Sequence, residues 1–460
     1  MHNKKVMLLI SSELFHRNYV QTGVVAFLAR NYKNLVLLAS ETISEIDFEK
    51  VIKYKLNEQH ENRHYQFLRI ISWRYRHLSR SFKFRLIRNS KFKFEFQLNT
   101  KKNSLIAVWS ENFNSFKRRI KILTAGSKIF FPIVKYFFDK RLQPAKELLD
   151  IISKEQPDLI LMPSSAYDPV VVDLIKISKM LSIKSILLVD NWDNISSKSI
   201  LLDLPDGVTV WGEQTKEHAK NIQNFRDEQI SCIGTPRFEN YFRLRNKKLY
   251  SHFDFKYVLY LGQSLPSDEI SVVKTLNSLL TSDEFYGQGL KLIYRPHPWA
   301  VEQGIPDLSD LEAVILDPQI LARDPLREDV VSFQPSLEYY PSLLKNAEFV
   351  VSSLTSMIIE ASIFHKNVIV ICHHEPGNYT SPDKLRANCM HFEGIERLSN
   401  VIISNSHQEL QRYAKKLILN EYNLKAGIID SELSYFIAFE GSYNERLKKC
   451  IDHYLLGKQG

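Results

Sequence analysis

Glycine is scarce in this chain, with 15 residues in 460 against a usual share of roughly 7%. No GxGxxG, GxxxxGKS/T or GxSxG sequence occurs, so dinucleotide-binding, P-loop and nucleophile-elbow chemistries find no support. Cysteine is sparse too. Cys232, Cys372, Cys389 and Cys450 lie far apart without a CxxC pair, which argues against a zinc ribbon or disulfide framework and fits a reducing compartment. No apolar run nears the roughly 18 residues a membrane-spanning helix needs. The first apolar run, 6–10, is too short for the core of a secretory leader. A cytoplasmic protein, free or held at the inner face of a membrane, is therefore expected. Hydrophobic residues make up 44% of the chain, which excludes intrinsic disorder. At roughly 100–200 residues per domain, the length most simply fits two.

Charge is unevenly placed. The net value is +9, but residues 63–141 hold 20 Lys and Arg against Glu95, Glu111 and Asp139, a local +17 that leaves −8 elsewhere. Aromatics interleave with these bases, among them Trp73, Phe82, Phe94, Trp109 and Phe137. The mixture suits nucleic acid, whose phosphates take the charge while bases stack. It equally suits an anionic bilayer, where each basic residue adds about 1 kcal/mol. A solvated insertion with its own small core is the plainer reading.

Elsewhere, short apolar runs alternate with amphipathic helical patterns. Strand-like runs fall at 5–10, 35–39, 158–162, 185–189, 207–211 and 229–233, then at 257–261, 291–294, 348–351 and 367–371. Helical patterns at 143–154, 169–181, 268–280 and 356–364 separate several of them. This alternation predicts two Rossmann-like, doubly wound α/β domains facing a cleft. The expected division is a first domain at 1–238 that contains the basic segment 63–141, then a polar linker at 239–255. A second domain follows at 256–435, and a C-terminal helix within 436–460 packs back on the first.

Ligands of open α/β sheets sit beyond the carboxyl ends of strands, so residues just past each strand are the informative ones. After 291–294 comes Arg295-Pro296-His297-Pro298, where two prolines fix the backbone and present a histidine beside an arginine suited to phosphate. After 348–351, Ser352, Ser353, Thr355 and Ser356 open a helix carrying Glu360. Hydroxyls and helix N–H groups there would hold an anion, and Glu360 could reach a ribose hydroxyl. Gly262-Gln263-Ser264 follows 257–261 as a tight turn that a ligand can approach closely. In the first half, Asp190, Asn191, Trp192, Asp193, Asn194 and Lys198 crowd one loop after a strand. Asp168 follows another strand, and Glu13, His16 and Arg17 follow the first. An acid or histidine from these groups could act as general base. Plain turns, helix caps and a structural histidine are the competing readings.

The RPHP turn and the strand–SSLTS–helix–Glu element resemble the GT-B glycosyltransferase superfamily. Within it, His297–Pro298 and Ser352–Ser353 are similar to the motifs by which bacterial sialyltransferases and Kdo transferases bind the cytidine monophosphate of the donor. The same pair also resembles CDP-glycerol glycerophosphotransferases. DNWDNISSK, VWGEQTKEHA and IGTPRF are similar to surface-carbohydrate biosynthesis proteins of this fold, and the resemblance covers about residues 150–375. It implies a metal-independent transferase, without cofactor, that moves a CMP-linked sugar to a surface glycan such as lipopolysaccharide or capsule, or to a glycolipid. Gly262, Gln263, Ser264, Arg295, His297, Pro298, the serine loop and Glu360 would hold the nucleotide. Glu13, His16, Arg17, Asn191, Trp192, Asn194 and Lys198 would face the acceptor. The sialyltransferases' paired-acid-glycine motif is missing, so the base is chosen from Asp193, with Asp190 and Asp168 in reserve. A UDP-sugar or CDP-glycerol donor is the nearest alternative, and nucleic-acid binding through 63–141 the alternative of another class. An anionic membrane face is the expected partner of that segment, with no nucleic acid expected.

Overall fold

The computed structural model describes residues 4–88, 120, 123–124, 126–298, 307–321, 336–422 and 426–456. The middle of the basic segment, 89–119, lies outside the described residues. Two sheets, parallel throughout, form the frame. The first contains β1 (Lys5–Ile10), β2 (Asn34–Ser40), β3 (Val51–Tyr54), β4 (Leu159–Ser164), β5 (Lys184–Val189), β6 (Gly207–Val210) and β7 (Ile230–Cys232). Their order across the sheet is β3-β2-β1-β4-β5-β6-β7. The second contains β8 (Tyr257–Leu261), β9 (Lys291–Arg295), β10 (Val314–Leu316), β11 (Val350–Ser352), β12 (Val368–Ile371) and β13 (Val401–Ser404). It runs β10-β9-β8-β11-β12-β13. Strand order reverses between β1 and β4 and again between β8 and β11, and such switch points open crevices beyond the strand ends.

The central strands are apolar throughout because both faces of each sheet are covered. Alternate residues of β1 serve opposite sides: Val6, Leu8 and Ile10 enter one core, Met7 and Leu9 the other. In register, Val6 lies opposite Leu35 of β2 and Leu159 of β4.

The chain forms two compact units. One comprises Met1–Thr235, Cys389–His391 and Glu440–Gly460; the other comprises Pro236–Asn388 and Phe392–Phe439. The helix Tyr443–Leu456 belongs to the first unit, where Tyr443, Leu447, Cys450 and Ile451 join the core built on β1 and β2. The stretch 239–255, polar enough to read as a linker, departs from that reading. It opens with the helix Glu239–Leu244, whose Tyr241 and Leu244 are buried, and the second unit already begins at Pro236. No helix among the described residues is long and apolar enough to cross a membrane.

Candidate functional site

In the first unit, a cavity of about 600 Å³ opens beyond β1 and β4. Ser11, Ser12, Ser40, Thr42, Glu61 and Asp168 supply much of its polar lining. Asp168 stands at the start of the helix Pro169–Met180, with Pro169 in the first turn, where a missing N–H costs nothing. One carboxylate oxygen accepts from the Val170 N–H at 3.2 Å and the other from the Ser11 hydroxyl at 3.1 Å. Burial nevertheless pushes its pKa up to about 6, outweighing those hydrogen bonds. An acid that changes charge near neutrality, facing a hydroxyl-lined cavity, can take a proton from a bound hydroxyl.

The loop after β5 is different from what its composition led us to expect. Trp192 is buried, donates from Nε1 to Gln214 at 2.7 Å, stacks on Trp211 and meets His391 edge-on at 5.5 Å. Asn194 is fully buried and tied to the Ser164 carbonyl and Ser199. Burial alone would raise the pKa of Asp193. Lys198 at 2.9 Å, with His391 and Arg85, outweighs it and holds the carboxyl below its usual range, which makes a weak base. Asp190 is fully buried and accepts from Asn18 at 2.8 Å. Trp192, Asn194, Lys198, Asp193 and Asp190 therefore stabilise the packing of this loop, and only Asn191 keeps partial exposure without such a role. The partner that explains the tryptophan, His391, lies some two hundred residues downstream.

Near β1, Glu13 is occupied as well. It accepts from the Ser44 N–H at 2.6 Å and the Ser44 hydroxyl at 3.1 Å, with His16 at 3.4 Å. Burial opposes ionisation, but these partners win and its pKa falls. Glu13 and His16 hold a loop, and neither they nor Arg17 line the cavity around Asp168.

In the second unit, the turns after β8, β9 and β11 lie side by side, as the pairing of β8 with both neighbours requires. Gly262 is glycine for a steric reason: a Cβ there would fall 2.4 Å from Glu269 Oε2. Glu269 accepts from the Gln263 N–H at 2.7 Å and from the Tyr294 hydroxyl at 2.8 Å, and its burial raises its pKa. Gln263 itself is 3% exposed, yet neither atom of its side-chain amide has a hydrogen-bond partner among the described residues. Ser264 is exposed. Glu269 opens the helix Glu269–Leu280, and its inward turn is not marked by anything in the sequence around it.

Arg295 does not present its guanidinium to a phosphate. It is 3% exposed and bonded to Asp317, to Gln319 at 2.6 Å and to Tyr340. His297 and Pro298 lie partly buried in the turn beyond. Ser352 and Ser353 are buried, the former donating to the Ser353 carbonyl at 2.7 Å and the latter meeting the Tyr260 hydroxyl at 3.2 Å. Thr355 caps Met357 N–H weakly at 3.4 Å. Glu360 is likewise committed, to Arg237 and to the Tyr241 hydroxyl at 2.7 Å, so it is not free to take a ribose. Arg237 also donates to the Ser356 hydroxyl at 2.9 Å, and it, not Arg295, is the arginine bordering the serine loop. Its place in IGTPRF was legible, but not its neighbours. His373 and His374 follow β12 and were also missed; burial brings His373 down to about 4.

Two helix-covered parallel sheets, each with polar side chains gathered at its switch point, define a two-domain α/β fold of the GT-B type. Similar solved structures include a Listeria monocytogenes protein provisionally designated a UDP-N-acetylglucosamine 2-epimerase. Its TM-score is 0.56 at 11% identity, over 100% of this chain and 98% of that one. Staphylococcus aureus MnaA with UDP gives 0.53 at 14%, over 98% and 97%. Methanocaldococcus jannaschii UDP-GlcNAc 2-epimerase, in complex with UDP-GlcNAc and UDP, gives 0.50 at 12%, over 98% and 99%. Neither a protein-family model nor a curated protein sequence matches the chain.

Proposed function

We propose that the chain is a glycosyltransferase that moves a sugar from a nucleotide donor, CMP-linked as the sequence resemblance implies, to a cell-surface glycan or lipid-linked acceptor. The observation that carries this reading is the hydroxyl-lined cavity of the first unit with Asp168 at its edge. An acceptor hydroxyl would give its proton to an Asp168 carboxylate oxygen as it attacks the anomeric carbon. The bond from that carbon to the donor phosphate breaks, and the electron pair leaves with the nucleotide. In the second unit, the unpartnered amide of Gln263 fits base or ribose, while Arg237, Ser356 and His297 would take the leaving phosphate. Charged donors placed in advance stabilise such a leaving group without a metal.

Ile129, Phe130, Ile133, Tyr136 and Phe137 are each more than half exposed, at or within the helix Phe131–Arg141, beside exposed Lys128, Lys140 and Arg141. Apolar side chains at helical spacing and flanked by bases favour a peripheral position on the inner, anionic face of the cytoplasmic membrane. Nucleic-acid binding has no comparable support, since a nucleic-acid groove does not call for isoleucines turned outward.

Calorimetric titration of the full chain with CMP, CDP and UDP tests the donor. Binding of CMP that weakens about tenfold in Gln263→Ala, with an unchanged melting temperature, is the expected result. Binding of UDP alone would overturn the CMP assignment.

A further inference from the structure

His60 and His64 are four residues apart on the helix Glu58–Tyr75, so both rings leave the same face. Opposite them stands Asp173, from the middle of the helix Pro169–Met180. His60 Nε2 lies 2.7 Å from one carboxylate oxygen and His64 Nε2 2.9 Å from the other. The ring centroids are 4.3 Å apart. Asp173 and His64 are buried, and the His60 side chain is 12% exposed. Apart from the two imidazoles, the carboxylate accepts, among the described residues, only the Ala145 N–H, at 3.0 Å. No Lys or Arg among the described residues pairs with it.

The hydrogen bonding leaves a mismatch. His64 Nδ1 sits 3.0 Å from the His60 carbonyl, an acceptor only, so that nitrogen carries the proton. In a neutral ring, the lone pair of Nε2 then points directly at a carboxylate oxygen. Two acceptors at 2.9 Å in a buried site repel unless something positive lies between them. A ring N–H given to a backbone carbonyl is also the outer contact that orients histidine as a metal ligand.

We propose that His60, His64 and Asp173 bind a divalent transition-metal ion, best suited to zinc, through two imidazole nitrogens and one carboxylate oxygen. Borderline-soft nitrogen donors with one carboxylate match that ion, and the partly exposed side of His60 leaves a fourth position for water. Bonds of about 2.0–2.1 Å at tetrahedral angles separate donors by about 3.3 Å. The three groups thus open by about half an ångström to admit the ion. The ion's place in the molecule gives it a purpose. Glu61 and Tyr65, on the same helix as the two histidines, line the cavity that Asp168 edges, and Asp173 lies on the helix that Asp168 caps. Metal binding would clamp one wall of that cavity to the other, in a structural role that supplies no chemistry to the transfer itself.

The test uses the full chain, stripped with a chelator and then dialysed against zinc or cobalt. Mass spectrometry of the metal content, together with the visible spectrum of the cobalt form, reads the site without any activity assay. The wild type should hold one ion per chain, show tetrahedral cobalt bands and melt at higher temperature with zinc. His60→Gln, at the exposed edge where folding is least at risk, should weaken zinc binding about 100-fold and lose both the bands and the melting shift. The proposal is overturned if the wild type takes up no more ion than His60→Gln, which would leave a charged imidazole paired with Asp173. It is equally overturned if uptake survives in both His60→Gln and His64→Gln, since the ion would then sit elsewhere.

Discussion

Asp168 caps a helix with one carboxylate oxygen, takes a hydroxyl with the other and faces a cavity, all while burial holds its pKa near 6. Those facts set two opposite effects of pH. As the proposed base it would act only when ionised, so activity should rise as pH passes upward through about 6. Asp168→Asn should lower kcat by about 10²–10⁴ and remove that limb of the profile. Stability runs the other way. The folded pKa lies above the unfolded value of about 3.9, so the contribution is complete below that value and is lost as pH rises through about 6. Asparagine keeps the cap and the Ser11 contact but carries no charge. Asp168→Asn should therefore melt above the wild type at pH 8 in scanning calorimetry, with the two curves converging at low pH. Arg295 illustrates the other outcome at this scale. Its guanidinium offsets the fully buried Asp317, so Arg295→Ala should cost about 3–5 kcal/mol in denaturant unfolding, and a conservative Arg295→Lys less. A residue that held only phosphate would leave stability unchanged.

Among the elements, the central strands were legible, while three of the four edge strands were not. All ten strand-like runs of the sequence are strands, but β3, β10 and β13, each at the margin of its sheet, escaped notice. β3 is broken by the exposed Lys53, and β10 and β13 are short strands of three and four residues whose apolar side chains are only partly covered. Post-strand position was also legible, since Gln263 and His297 follow β8 and β9 and Ser352 ends β11, three strands that lie side by side. Which way each side chain turns was not. Arg295 goes inward because Asp317, on a later connection, meets it there, and Trp192 goes inward because His391 returns to cover it. Both partners are distant in sequence, and a composition-based reading weighs only neighbours. The helix Phe131–Arg141 turns Ile133, Tyr136 and Phe137 outward, against the usual amphipathic order. Changing Ile133 and Phe137 to Asp should leave folding intact by circular dichroism. Sedimentation with vesicles containing phosphatidylserine should fall at least about tenfold, while neutral vesicles bind neither protein.

Over the whole molecule, the modest net charge conceals a division between a +17 segment and a remainder of −8. The basic segment is inserted between β3 and β4 of the first unit, the unit whose cavity contains Asp168. Surface attachment and acceptor binding would thus reside in the same unit, an arrangement that suits an acceptor presented at a membrane. Few glycines are needed for such a protein, because phosphate would be met by Arg237, Ser356 and His297 in place of a glycine-rich loop. The most direct measurement incubates purified chain with CMP-, CDP- and UDP-linked sugars, with and without lipid-linked glycan, and follows nucleotide and sugar products by mass spectrometry. The account predicts release of free nucleotide that requires the glycan and matches, mole for mole, the mass added to it, with loss of both in Asp168→Asn. Conversion of UDP-GlcNAc to its epimer with no acceptor present, and no sugar added to any glycan, would contradict it.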